Sequence, residues 1–216
     1  LWKVVKSMNG INQESHLLYT PIQAGAQSLT DNYDKANEIA KAFCLSSSDQ
    51  NFDPRFNTKR TANQSTIVAV TSTYCTSQNQ LPINTPFTNY ELHKAITNLH
   101  DKSSPGIDKI PYTLIKHLPT PVVNELLQFF NYLWEKHLFP SAWQHSVIVP
   151  ILKPNKDPST PSSYRPISLT STICKLMERL VTDRLVWNLE HNNLLHRNQC
   201  GFRKNHSTID HVLKLQ

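Results

Sequence analysis

Apolar positions recur at helical spacing in several separate stretches of this chain, and the polar residues between them keep no period. In LTDNYDKANEIAKAFC, Ala36, Ile39, Ala40 and Phe43 lie three and four residues apart behind Thr30 and Asp31, either of which can cap, so one amphipathic helix is predicted in residues 1–45. Over 46–87 the composition turns to Ser, Thr, Asn, Gln and Pro around a single apolar island, Thr66–Val70, which predicts a polar, poorly ordered linker. TNYELHKAITNL then opens with Thr88 and Glu91 at capping-box spacing, followed by the stripe Leu92, Ala95, Ile96 and Leu99, and a helix is expected to run from there to the turn at Pro105-Gly106. Pro111 and Thr120-Pro121 mark two further helix starts, and Val123, Leu126, Leu127, Phe130, Leu133 and Trp134 continue the second at i, i+3, i+4, i+7.

The period then changes. HSVIVPILK is a run of branched apolar residues with both faces apolar, the pattern of a covered strand. The proline-rich PNKDPSTPSS is a loop, and YRPISL is a second strand. A connection this short suits an antiparallel hairpin with a mobile tip rather than a parallel crossover, and it brings Lys153 and Arg165 near one another across the pair. Ser171 is placed to cap a helix through TICKLMERLVTDRLVWNLEHN, with Ile173, Leu176, Met177, Leu180 and Leu185 inward and Lys175, Arg179 and Asp183 on a polar side. Asn192 and Asn193 end it, Gly201 turns the chain, and Ser207 caps a last helix with Asp210 in its first turn. Helices flanking one strand pair, with no internal repeat, make the fold class α+β and mostly helical.

Composition adds a direction. The net charge is +6, with eight Lys/Arg against seven Asp/Glu in residues 1–100 and fourteen against nine in 101–216. The later half is therefore the basic one, which points to a polyanion, nucleic acid before membrane. No stretch reads as a signal peptide or a membrane span, and a chain opening on Leu1 reads as an internal piece of something longer. Cys44, Cys75, Cys174 and Cys200 form no CxxC pair, so a reducing, intracellular setting, nucleus or cytoplasm, is expected.

Several chemistries can be weighed on residue type. Cys200, His206 and His211 are ligand types that zinc takes, but a lone cysteine departs from the paired spacing of structural zinc sites. Ser168, Ser171 and Ser207 sit in no nucleophile elbow, and no glycine precedes a GK[ST] triplet, which argues against hydrolase and Walker-type sites. Lys153, Lys156 and Arg165 remain, gathered around one hairpin. A guanidinium placed between Tyr164 and Pro166 needs an anion, either a phosphate or a carboxylate such as Asp157 or Glu178.

Taken in order and at their separations, SSPGIDKIP, W-x₃-VIVPILKPNKDP, SYRPISLTSTICKLMERL and NQCGFRKNHSTID resemble the front of the reverse transcriptase domain of non-LTR retrotransposons, most of all the jockey-like elements of animals. The similarity spans Thr88–Gln216. It implies that 88–216 is the fingers part and the start of the palm of a right-hand polymerase fold, truncated before the rest of palm and thumb, with 1–45 as a helical segment upstream of the polymerase.

By this resemblance Lys153 and Arg165 contact the triphosphate of an incoming deoxynucleotide. Lys156, Lys175, Arg179, Gln199, Gly201, Phe202, Arg203 and Lys204 would lie along RNA template and DNA primer. Mg2+ would serve the full-length enzyme, held by aspartates in F-x-D and (F/Y)-x-DD stretches that these 216 residues do not contain. No bound metal and no polymerisation are expected of this chain by itself. Asn205 stands where related sequences often have glycine. The alternative is a non-catalytic RNA-binding remnant or domesticated fragment that keeps the basic face alone.

Overall fold

The computed structural model describes residues 20–76, 82–196 and 198–213. In chain order these form strands β1 (Ile22–Ala24) and β2 (Gln27–Leu29), helices α1 (Asn32–Ser46), α2 (Pro54–Thr76), α3 (Asn89–Thr97), α4 (Tyr112–Lys116) and α5 (Thr120–Glu135), strands β3 (Ser146–Leu152) and β4 (Tyr164–Thr170), and helices α6 (Thr172–His191) and α7 (Thr208–Leu213). The class is α+β, with two separate two-stranded antiparallel sheets, β1-β2 and β3-β4. The chain divides into two compact units. One takes in the described residues up to Thr76 with His100–Ile115 and Phe139–Thr172; the other takes in 82–99, Lys116–Leu138 and the described residues from Ile173 onward.

In the first unit, β3 and β4 form a ribbon in which Val149 faces Ile167, Pro150 faces Pro166 and Ile151 faces Arg165. The Lys153 N–H donates to Ser163 O at 2.8 Å, so hydrogen-bonded pairs fall at odd residues of β3 and the two prolines share a pair whose amides would point away from the partner strand. A proline costs such a position no ladder bond. Val149 and Ile151 are buried, with Ile167 and Leu169 packed against them. The opposite face is less covered than the apolar run predicts, since Ile148 is exposed.

The upstream segment begins with a hairpin that the apolar period does not announce. Ala24 faces Gln27 across Gly25-Ala26, and Gly25 takes φ +62, the conformation a two-residue hairpin loop requires at its first central position. Asp31 then caps α1, accepting from Tyr33 N and Asp34 N. Ile39 and Phe43 pack inward with Ile22 and Tyr164, whereas Ala36 and Ala40 are exposed.

The stretch predicted as a polar linker over 46–87 contains a 3-10 turn, Asp49–Asn51, and the long helix α2. No apolar stripe marks α2, which is why periodicity missed it. Its start is fixed locally: Pro54 leads it, Asp53 Oδ1 accepts from Arg55 N at 2.7 Å, and Arg60 forms a two-point ion pair with Asp49.

In the second unit α3 and α5 form as their patterns predict. The Thr88–Glu91 capping box is present in both directions, and Leu92, Ala95, Ile96, Leu99, Val123, Phe130 and Leu133 are buried. Asn131 clips Phe87, its Oδ1 accepting from Phe87 N at 2.5 Å and its Nδ2 donating to Phe87 O at 3.0 Å. Helix α5 ends with His137 at φ +54 and Leu138 N donating to Leu133 O, a Schellman closure normally built on glycine. Asn193 at φ +53 closes α6 the same way, with Leu194 N donating to Leu189 O. Along α6, Leu176, Met177 and Leu180 are buried as predicted, while Leu185 is exposed.

Candidate nucleotide and nucleic-acid interface

The ribbon register decides where its cations lie. Arg165 pairs directly with Ile151, and Lys153 follows Ile151 by two positions, so side-chain alternation puts Lys153 and Arg165 on one face as diagonal neighbours. Arg165 is exposed, and no ion pair or hydrogen bond of its side chain occurs among the described residues. Lys153 is half-buried, with Nζ donating to Ser162 O at 2.8 Å; an ammonium keeps further donors for a second acceptor. Lys156 is exposed in a turn where its N–H donates to Lys153 O and Asn155 has φ +58, as Pro-Asn at the centre of a type II turn requires.

Asp157, one of the two carboxylates offered by sequence as partners for Arg165, is used within the loop. It accepts from Ser159 N at 2.9 Å, from Ser159 Oγ at 2.6 Å and from Thr160 Oγ1. The Ser159 hydroxyl and amide, with Thr160, hold its acid below the usual carboxylate range. The loop is further tied by Tyr164, whose hydroxyl donates to Pro158 O at 2.6 Å. The tip expected to be mobile is therefore tied into the structure by hydrogen bonds.

At the other end of the ribbon the SSPGID stretch meets the chain leaving β4. A Cβ at Gly106 would lie 2.0 Å from Thr170 O, so only glycine lets these backbones approach. Asp108 Oδ2 accepts from Ser171 Oγ at 2.7 Å and from Thr172 N at 2.6 Å. Asp108 thus takes the first amide of α6, and Ser171, the residue before that helix, donates its hydroxyl to the same carboxylate.

The second unit holds the remaining cations. Arg179 is half-buried and donates to Asn98 O at 3.0 Å, the carbonyl of the residue that ends α3, where a cation complements the helix dipole. Lys175 is half-buried and interacts within the protein. In the loop after α6, Arg203 forms a two-point pair with Glu190, Nε to Oε1 at 2.9 Å and Nη2 to Oε2 at 2.6 Å, and Nη1 reaches Gln199 O. Arg203 holds the Glu190 carboxyl below its ordinary range. Both arginines assigned to template contact are therefore committed to protein acceptors, because a carboxylate or a helix-end carbonyl distant in sequence lies within reach.

What that loop presents outward is Gln199, Gly201, Phe202 and Lys204, all exposed. Phe202 is fully exposed with φ +60, and Asn205 has φ +63, which explains how an asparagine serves at a glycine-like position. Apart from its chain neighbours, no described residue lies within 4 Å of a Cβ built on Gly201, so none of them demands glycine there. Among the described residues no three of His, Cys, Asp and Glu gather as a metal site; the His211 side chain lies outside the described residues. The described residues do not fit a two-metal centre.

A family model for reverse transcriptase (RNA-dependent DNA polymerase) matches residues 151–216. A probable RNA-directed DNA polymerase from transposon BS of Drosophila melanogaster is 39% identical over 138 residues, covering 64% of this chain and 15% of that protein. The chain is similar, over these stretches, to the reverse transcriptases of jockey-like non-LTR elements. The RNA-directed DNA polymerase from the mobile element jockey of Drosophila funebris is 33% identical over 127 residues, 59% of this chain and 14% of the relative, and a probable RNA-directed DNA polymerase from transposon X-element of D. melanogaster is 35% identical over 135 residues, 62% and 15%. The chain spans about one-seventh of the length of the curated relatives it matches. No described helix is long and apolar enough to cross a membrane.

Sequence reasoning missed Asp108, Tyr164 and Glu190 as the groups that fix the loops carrying the candidate residues. Their acceptors and donors lie in other elements, so no local period marks them. The quoted SSPGID stretch, with a glycine and an aspartate two apart, is the one local signal that was available.

Proposed function

We propose that this chain forms the fingers part of an RNA-directed DNA polymerase and that its β3–β4 ribbon grips the triphosphate of an incoming deoxynucleotide, with Arg165 and Lys153 as the clamp. The observation that carries this reading is Arg165, exposed and unpaired among the described residues, on the same ribbon face as Lys153. A guanidinium fork and an ammonium suit the phosphate oxygens and the charge that builds on pyrophosphate as it leaves. Lys156 at the turn adds a third cation. The surface of Phe202, Lys204 and Gln199 takes the RNA template and DNA primer, the exposed ring offering a face for base stacking, while Arg203 supports that loop from behind.

Bond formation itself falls to residues beyond those described, since none here fit the two-metal centre such chemistry uses. These 216 residues by themselves are therefore expected to bind nucleotide and nucleic acid without extending a primer. Titration with a deoxynucleoside triphosphate and the matching monophosphate tests the clamp: Arg165→Ala should weaken the triphosphate by roughly tenfold or more and leave the monophosphate little changed. In a longer polypeptide that carries the aspartate motifs, the same change should lower polymerisation by about 10²–10³-fold. Equal triphosphate affinity in parent and variant rejects the assignment.

A further inference from the structure

The first unit contains an arrangement that neither the family match over 151–216 nor the clamp accounts for: the upstream hairpin and α1 are built into the tip of the ribbon. Tyr164, the residue before Arg165, has its ring buried with Ile22 and Ile39, with Phe43 packed alongside. Ile22 and Ile39 are exposed by only 0% and 2%, and Tyr164 by 3%. The Tyr164 hydroxyl crosses the loop to Pro158 O. From the other side, Gln23 N donates to Ser159 O at 2.8 Å. Gln23 faces Ser28 in the β1-β2 pair, and its amide is directed out of that ladder at the ribbon loop. Two backbone carbonyls of one loop, Pro158 and Ser159, are thus held by donors that converge from Tyr164 and the upstream hairpin.

We infer that β1, β2 and α1 act as a brace that fixes the ribbon tip, and that Tyr164 is a positioning residue for Arg165 and Lys153. The inference rests on the clamp reading for its functional consequence. Its physical basis is alternation: with the Tyr164 ring locked on one face, the next side chain along the strand, Arg165, is forced to the other. Lys153 is set from the same loop, through its N–H to Ser163 O and its Nζ to Ser162 O. A loose tip would let both cations sample many positions, and the entropy of ordering them would then oppose every binding event.

The test uses the whole chain with a deoxynucleoside triphosphate as probe, and measures amide exchange at Lys153 and Ser163 alongside affinity and unfolding midpoint. Tyr164→Phe keeps the ring and deletes only the hydroxyl; Gln23→Pro deletes the amide without removing a ladder bond. Each variant is expected to speed exchange at the tip and to weaken triphosphate binding about three- to tenfold, the range of a lost buried hydrogen bond, under conditions where the protein is fully folded. Arg165→Ala, run in parallel, should leave exchange at the tip unchanged. If Arg165→Ala lowers affinity while the two brace variants speed exchange and bind as the parent does, the positioning role is overturned and the clamp stands. If Arg165→Ala leaves affinity unchanged, the clamp reading fails, and unaltered exchange in both brace variants would overturn the brace by itself.

Discussion

Arg184 directs its guanidinium at both oxygens of Glu91, with Nε to Oε1 at 2.6 Å and Nη2 to Oε2 at 2.9 Å, and at the carbonyls of Ile83, Thr85 and Pro86, while its face lies 4.3 Å from the Phe87 ring centroid. Glu91 also completes the capping box with Thr88. The Arg184 hydrogen bonds lead in pulling the Glu91 carboxyl down from 4.5 to about 2, with Thr88 adding to them against the penalty of burial. A depressed carboxyl stabilises the fold at pH above its unfolded value, and this contribution is lost as pH falls from about 4.5 through about 2. Glu91→Gln should therefore lower stability at neutral pH and flatten the acid limb of a pH–stability curve in that window. Arg184→Ala strands a carboxylate and three carbonyls and should cost about 2–3 kcal/mol by urea unfolding. The sequence showed Glu91 as a cap; nothing local showed that an arginine 93 positions away would complete it.

Backbone conformation governs the elements, and two sites give opposite signs. Gly106→Ala would drive a methyl group into the Thr170 carbonyl, which lies 2.0 Å from the Cβ position; both sides of the contact are backbone, so a loss of roughly 3 kcal/mol or more is expected by denaturant unfolding. His137 holds the left-handed position that closes α5, at φ +54. His137→Gly should relieve that strain and raise stability by about 0.5–1 kcal/mol, read as a higher thermal midpoint, because the relief exceeds the entropy a glycine adds to the unfolded chain. Helices α3 and α5 were legible because their burial follows a stripe. Helix α2 was not, since its start rests on Asp53 and Asp49 side chains rather than on an apolar period. The β1-β2 hairpin, three residues to a strand, is too short for alternation to register.

Across the whole molecule a net charge of +6 would govern the proposed encounter with nucleic acid. Binding of this chain to single-stranded RNA should fall steeply with salt, with a logarithmic slope near −0.7 for each phosphate neutralised. Fluorescence anisotropy from about 50 to 200 mM salt measures it, and a flat response would point to a partner other than a polyanion. Arg203 and Arg179, being engaged with Glu190 and Asn98 O, should contribute less to that slope than Lys204.

The sequence by itself determined the helical stripes, the capping box, the ribbon with its proline-rich loop and the kinship with reverse transcriptases, because each is written in residues that are near neighbours along the chain. Only the tertiary structure decided which cations remain available. Arg165 stays open because Asp157 turns to Ser159 and Thr160, and Arg203 is taken because Glu190, 13 positions earlier, lies within reach. The partner of a long charged side chain is chosen by folding distance, and periodicity along the chain carries no record of that distance.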